Sequence, residues 1–135
     1  MPEISLDFDL GAERTRVTAT LSVERNGAHD EPLRLNGEGL ALIAVELDGK
    51  PAEHAYENDI LTIPIEGASA TIRTVVDIAP DANSELMGLY ASGGILCTQC
   101  EPEGFRRITP FPDRPDVLSR YRVRLTADKA RYPVL

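Results

Sequence analysis

The chain has 135 residues, of which 42% are hydrophobic and 27% charged, and a formal net charge of −8. This length and composition suit one soluble domain with a real core and exclude disordered and fibrous classes, while the acidic balance argues against nucleic acid, whose phosphates demand clustered Lys and Arg. No run approaches the roughly 18 apolar residues that cross a bilayer, and MPEISLDFDL lacks a basic segment followed by an apolar one, so neither membrane anchor nor signal peptide is expected.

Residues 4–10 (ISLDFDL) put Ile4, Leu6, Phe8 and Leu10 on one side and Ser5, Asp7 and Asp9 on the other, a half-buried strand. After Gly11-Ala12, residues 14–25 place Val17, Ala19, Leu21 and Val23 on one face, so the two runs form a hairpin. Asn26-Gly27 closes the second strand and begins a polar loop through Pro32. Residues 33–35 and 40–47 are short apolar runs. Asp48-Gly49 marks a tight turn, Asn58-Asp59 opens the run at 60–65, and residues 70–78 (ATIRTVVDI) are the most β-branched segment before 79–83 breaks it. No segment before position 80 holds a helical period for more than a turn. Strands punctuated about every ten residues predict an all-β fold: an antiparallel β-sandwich or saddle-like sheet domain with at most one short helical turn.

Residues 84–90 suit either a helical turn or a short strand, and Ser92-Gly93-Gly94 interrupts them. Residues 113–118 read as a short helix, with Asp113 as cap and Pro115 in its first turn. Residues 120–127 alternate strictly, which predicts a last strand with Tyr121, Val123 and Leu125 inward and Arg122, Arg124 and Thr126 outward. Phe8, Tyr56 and Tyr121 read as packing residues. Charge is uneven: residues 1–100 hold 17 acidic and 6 basic side chains, residues 101–135 hold 5 and 8. The basic end either meets an acidic partner surface or is a solvated strand face.

Cys97-Thr98-Gln99-Cys100 has the spacing of half a zinc site, but the only histidines, His29 and His54, stand isolated in loops. A thioredoxin-type motif needs a βαβ setting, and a haem attachment needs His where Glu101 stands. Two reduced, mostly structural thiols in a cytoplasmic protein, with no metal in this chain, is the favoured reading, and metal or redox use is the alternative. Neither a nucleophilic triad, a glycine-rich phosphate loop nor a His-Glu-x-x-His helix is present. Gln99 and Glu101, two apart in an extended segment, point to one side, and a carboxylate beside an amide suits capture of an ammonium group with its three donors. The competing reading pairs Glu101 with Arg106 or Arg107.

The ordered pattern Thr98-Gln99-x-Glu101, Phe105-Arg106-Arg107 and Phe111-Pro112-Asp113-Arg114-Pro115-Asp116 resembles the amino-terminal β-domain of the bacterial aminopeptidase N family, the zinc-dependent gluzincin aminopeptidases. SLDFDL, TRVTATLSVERN, LNGEGL, ELDGK and LTIPI resemble the same domain, so the likeness spans nearly the whole chain. The resemblance implies that Gln99 and Glu101 line the pocket for the substrate's first side chain and that Glu101 helps bind its free α-amino group. It also implies that residues 1–135 are a truncated piece of that domain, inactive alone. The partners expected on this basis are a peptide's amino terminus and a separate catalytic domain of the parent chain, which would hold the zinc; no nucleic acid and no membrane are expected. Two readings of other classes compete: a free-standing β-sandwich that binds a protein through Arg120, Arg122 and Arg124, and a small zinc protein built on Cys97 and Cys100.

Overall fold

A computed structural model describes residues 3–24, 31–101, 104–114 and 117–133. The described residues form strands β1 (Glu3–Asp9), β2 (Thr15–Glu24), β3 (Leu33–Asn36), β4 (Ala41–Leu47), β5 (Lys50–Pro51), β6 (Ala55–Glu57), β7 (Ile60–Ile63), β8 (Ser69–Ile78), β9 (Gly88–Ser92), β10 (Ile95–Gln99) and β11 (Arg120–Thr126). The fold is all-β, as the alternation and turn chemistry predicted. Among the described residues the helical content is two single 3-10 turns, Pro80–Ala82 and Phe105–Arg107, one more than expected.

Strand order in the largest sheet is β11-β1-β2-β8-β4-β5; beside it stand a three-stranded sheet, β3-β7-β6, and the β9–β10 hairpin. The β1–β2 hairpin has Ile4 opposite Leu21, Leu6 opposite Ala19 and Phe8 opposite Val17, and β8 continues the same face with Val76 opposite Val17 and Ile72 opposite Leu21. Because side chains alternate across a strand, that register gathers these apolar positions on one face, while Val75, next to Val76, points to the other. These residues join Leu35, Leu61 and Ile63 of the three-stranded sheet, with Leu89, Ile108 and Phe111, in one buried cluster. The opposite face is mostly polar, and on it Arg16 grips Asp77 with two bonds, Nε to Oδ1 at 2.9 Å and a terminal nitrogen to Oδ2 at 3.1 Å.

Three hairpins close on two-residue turns whose residues all have positive φ: Asp48-Gly49 (50° and 83°), Asn58-Asp59 (51° and 61°) and Gly93-Gly94 (59° and 80°). This left-handed pair matches the right-handed twist of flanking strands, and Asn, Asp and Gly tolerate it. Gly93-Gly94 is therefore a turn between β9 and β10, which resolves residues 88–92 as strand. In β4 the pairing with β8 shifts between Leu42 and Ala44, leaving Ile43 as an extra residue that is 53% exposed. A bulge of this kind takes one apolar side chain out of phase with its run.

Two expectations need correction. Asp113, Arg114, Val117 and Leu118 are not helical, and Pro115-Asp116, like Asn26-Gly27 and His29, lies outside the described residues. Asp113 does not cap a helix of its own; its carboxylate turns back to Arg106. In β11, Tyr121, Val123 and Leu125 lie on the core side, in register with Ile4, Leu6 and Phe8, yet they are 50%, 53% and 46% exposed. Alternation chose their side correctly, but cover is partial: Tyr121 meets Phe105 edge-on at 6.0 Å between ring centroids, and all three side chains stay about half exposed.

β11 runs parallel to β1, setting Arg120 beside Glu3 and Arg124 beside Asp7, with Arg122 beside Ser5. Arg122 also approaches Glu3 at 4.0 Å, both well exposed. The basic end of the chain thus lies along the acidic first strand of its own sheet, where such opposite-charge neighbours are mildly favourable.

Candidate functional site

β10 delivers the candidate pair. Its register with β9 puts Gln99 opposite Gly88 at the end of the hairpin, and Glu101 follows two residues later. The Gln99 Nε2 amide donates to Glu101 Oε1 at 3.1 Å, so the two side chains come together, and both are exposed. Thr98 and Cys100, out of phase with Gln99, line an apolar cleft of about 700 Å³. The amide and carboxylate therefore occupy the solvent side of a segment whose other side is apolar.

The arginines are committed elsewhere. Arg106 Nε donates to Asp113 Oδ2 at 3.1 Å, and the same oxygen accepts the Arg106 backbone N–H at 3.2 Å. An Arg107 terminal nitrogen donates to Glu38 Oε1 at 2.6 Å, a contact across 69 positions of sequence. The expectation that one of them neutralises Glu101 is thereby overturned. Among the described residues no cation forms an ion pair with Glu101. The bond from Gln99 leaves the other carboxylate oxygen and the Gln99 carbonyl as acceptors, an arrangement suited to an ammonium group, which has only donors to offer.

The segment behind the pair is anchored across the fold. The Glu38 backbone N–H donates to Arg106 O at 2.9 Å, and Asn36 and Phe111 exchange backbone bonds of 2.8 and 3.0 Å. Phe105 packs edge-on against Phe111 with ring centroids 4.9 Å apart. Sequence reasoning picked out Phe105-Arg106-Arg107 as a motif but missed Glu38 and Gly104. Nothing local in the sequence marks Glu38; a glycine three residues beyond a candidate carboxylate was the available signal for Gly104.

Cys97 and Cys100 are free thiols. Cys100 belongs to the cleft, where burial, and after it the charge of Asp113, pushes its thiol pKa up. A raised pKa disfavours the thiolate that metal binding and nucleophilic attack require. His54 is exposed and bonds the Ala52 carbonyl at 2.9 Å. Among the described residues no three His, Cys, Asp or Glu side chains come together as metal ligands.

Residues 3–134 match the model of the Peptidase M1 N-terminal domain. The chain belongs to that family. This M1 amino-terminal domain is 53% identical over 133 residues to aminopeptidase N of Caulobacter vibrioides, covering 96% of the chain and 15% of the relative. It is 48% identical over 134 residues to aminopeptidase N of Escherichia coli K12, covering 98% and 15%. Among solved structures it superposes on Legionella pneumophila aminopeptidase A, crystallised with aspartic acid, with a TM-score of 0.89 and 28% identity, covering 98% of this chain and 16% of that one. The M1 domain described here thus spans about 15% of the length of the curated relatives it matches. Among its described residues, no helix is long and apolar enough to cross a membrane.

Proposed function

We propose that this M1 domain is the amino-terminal part of a cytoplasmic zinc aminopeptidase, and that Gln99 and Glu101 receive the free α-ammonium group and first side chain of a peptide. The observation that carries this reading is the Gln99–Glu101 pair itself: exposed, mutually bonded, and left with free acceptors because Arg106 and Arg107 are held by Asp113 and Glu38. Glu101 accepts from the ammonium, Gln99 orients the carboxylate, and the fixed distance from that anchor selects the first peptide bond. The zinc of such an enzyme supplies Lewis-acid chemistry at the scissile carbonyl. Its ligands would lie in the rest of that polypeptide, since the described residues offer no ligand cluster.

The domain boundary is part of the same proposal: residues 1–135 are a piece of a larger amino-terminal β-domain, completed by polypeptide following Leu135. The open apolar side of β11 supports it, together with the position of Arg131, Tyr132 and Pro133, which line the cleft between β11 and β10.

The test is Glu101→Gln in the complete enzyme. A hydrogen bond to a charged group contributes about 1.5–3 kcal/mol. Its loss lowers kcat/KM on aminoacyl anilides by about ten- to a hundredfold. An unchanged kcat/KM sinks the assignment.

A further inference from the structure

We infer that Gly104, with Gly88, is a positioning residue for the Gln99–Glu101 pair; the inference rests on the amine-recognition reading above. The Gly104 N–H donates to Glu101 O at 2.7 Å. A Cβ added at Gly104 would sit 3.0 Å from Glu101 O, 3.1 Å from Cys100 Cα and 3.3 Å from Gln99 O. All three are backbone atoms of the candidate segment, which cannot swing aside as the end of a flexible side chain can. The φ of Gly104 is −91°, ordinary for any residue, so it is space rather than backbone conformation that favours glycine there: with a Cβ, these backbone neighbours would have to give by a few tenths of an ångström.

The hairpin partner of Gln99 is constrained by the same turn. Gly88 has a φ of +75°, and a Cβ on it would meet Arg107 Cβ at 2.8 Å. The 3-10 turn Phe105–Arg107 therefore bears on the backbone of Gln99–Glu101 through Gly104 and on the strand opposite Gln99 through Gly88. The turn cannot recede, because Arg107 is tied to Glu38 and Arg106 to Asp113. Two glycines thus let one anchored turn set where the amide and carboxylate stand. Misplacing such a group by a fraction of an ångström weakens recognition without removing it.

The complete enzyme tests this with two competitive ligands, phenylalaninamide and its des-amino analogue hydrocinnamamide. The readout is the preference for the amine, the inhibition constant of the analogue divided by that of the amide. Gly104→Ala is expected to lower this preference by about tenfold, raising KM for aminoacyl anilides while kcat stays within about twofold. Glu38→Gln, which frees Arg107 at a partly exposed site, is expected to lower it by about two- to threefold. Loss of stability alone would move both inhibition constants together and leave their ratio unchanged. A wild-type ratio in Gly104→Ala overturns the inference, and should that variant not fold, Glu38→Gln decides it. Glu101→Gln separates the two levels. If it too leaves the ratio unchanged, amine recognition by this pair falls; if it alone lowers the ratio, only the positioning role falls.

Discussion

Strand β2 alternates Val17, Ala19, Leu21 and Val23 with polar residues, and β11 alternates Tyr121, Val123 and Leu125 with arginines. In β2 the apolar set is 0–7% exposed; in β11 it is 46–53% exposed. The difference lies in position. β2 is flanked by β1 and β8 and roofed by the three-stranded sheet, whereas β11 is the edge strand, beside a cleft bounded on its far side by β10. Alternation determines which way a side chain points; a second layer determines whether it leaves water. A long edge strand with an apolar face invites pairing unless something covers it.

Stability measurements sharpen that contrast. Leu21→Ala removes a fully buried side chain from the middle of the core and should cost about 2–5 kcal/mol in urea unfolding. A cost below about 1 kcal/mol would mean that the β2 face is not the packed core. On the solvated face of the same strand, Arg16 holds the Asp77 carboxyl below the usual carboxylate range, first by hydrogen bonding and then by charge. A carboxyl whose pKa is depressed by folding stabilises the native state above its unfolded pKa, about 3.9. That contribution disappears as pH falls through the folded value. Asp77→Asn is expected to cost roughly 1 kcal/mol at neutral pH, discounted because Arg16 is partly exposed. It should also flatten the acid side of the stability curve, and equal pH dependence in the two proteins would contradict the pair's role.

The smallest effect is expected on β11. Leu125→Ala in the 135-residue chain should cost less than about 1 kcal/mol, because the side chain already meets water. In the complete polypeptide the same substitution should cost about 2 kcal/mol or more, the value for a covered leucine. Equal costs in the two contexts would show that nothing covers β11.

Much of the fold was legible. The strand runs at 4–10, 14–25 and 70–78 became β1, β2 and β8 with shifts of one residue or so at their ends, and Asp48-Gly49 and Asn58-Asp59 formed the turns their chemistry requires. Gln99 and Glu101 were brought together by nothing more than their spacing in an extended segment. The ion pairs were not legible. Arg106 and Arg107 stand next to each other, yet one bonds a residue seven positions away and the other a residue 69 away, and local spacing cannot choose among carboxylates. The bulge at Ile43 escaped notice for a related reason, since an extra residue in one strand exists only relative to its partner.

The sequence by itself determined the side of each strand, the places where the chain reverses, and the pairing of an amide with a carboxylate at 99 and 101. These depend on the geometry of a few successive residues. Tertiary structure alone decided that β11 lies parallel to β1 with its arginines beside Glu3 and Asp7, and that Glu101 remains free of the neighbouring arginines. It also decided that Gly104 presses against the backbone of the Gln99–Glu101 segment. Each of these depends on which distant segments share a surface, and that is settled by burial of the common core rather than by any local pattern.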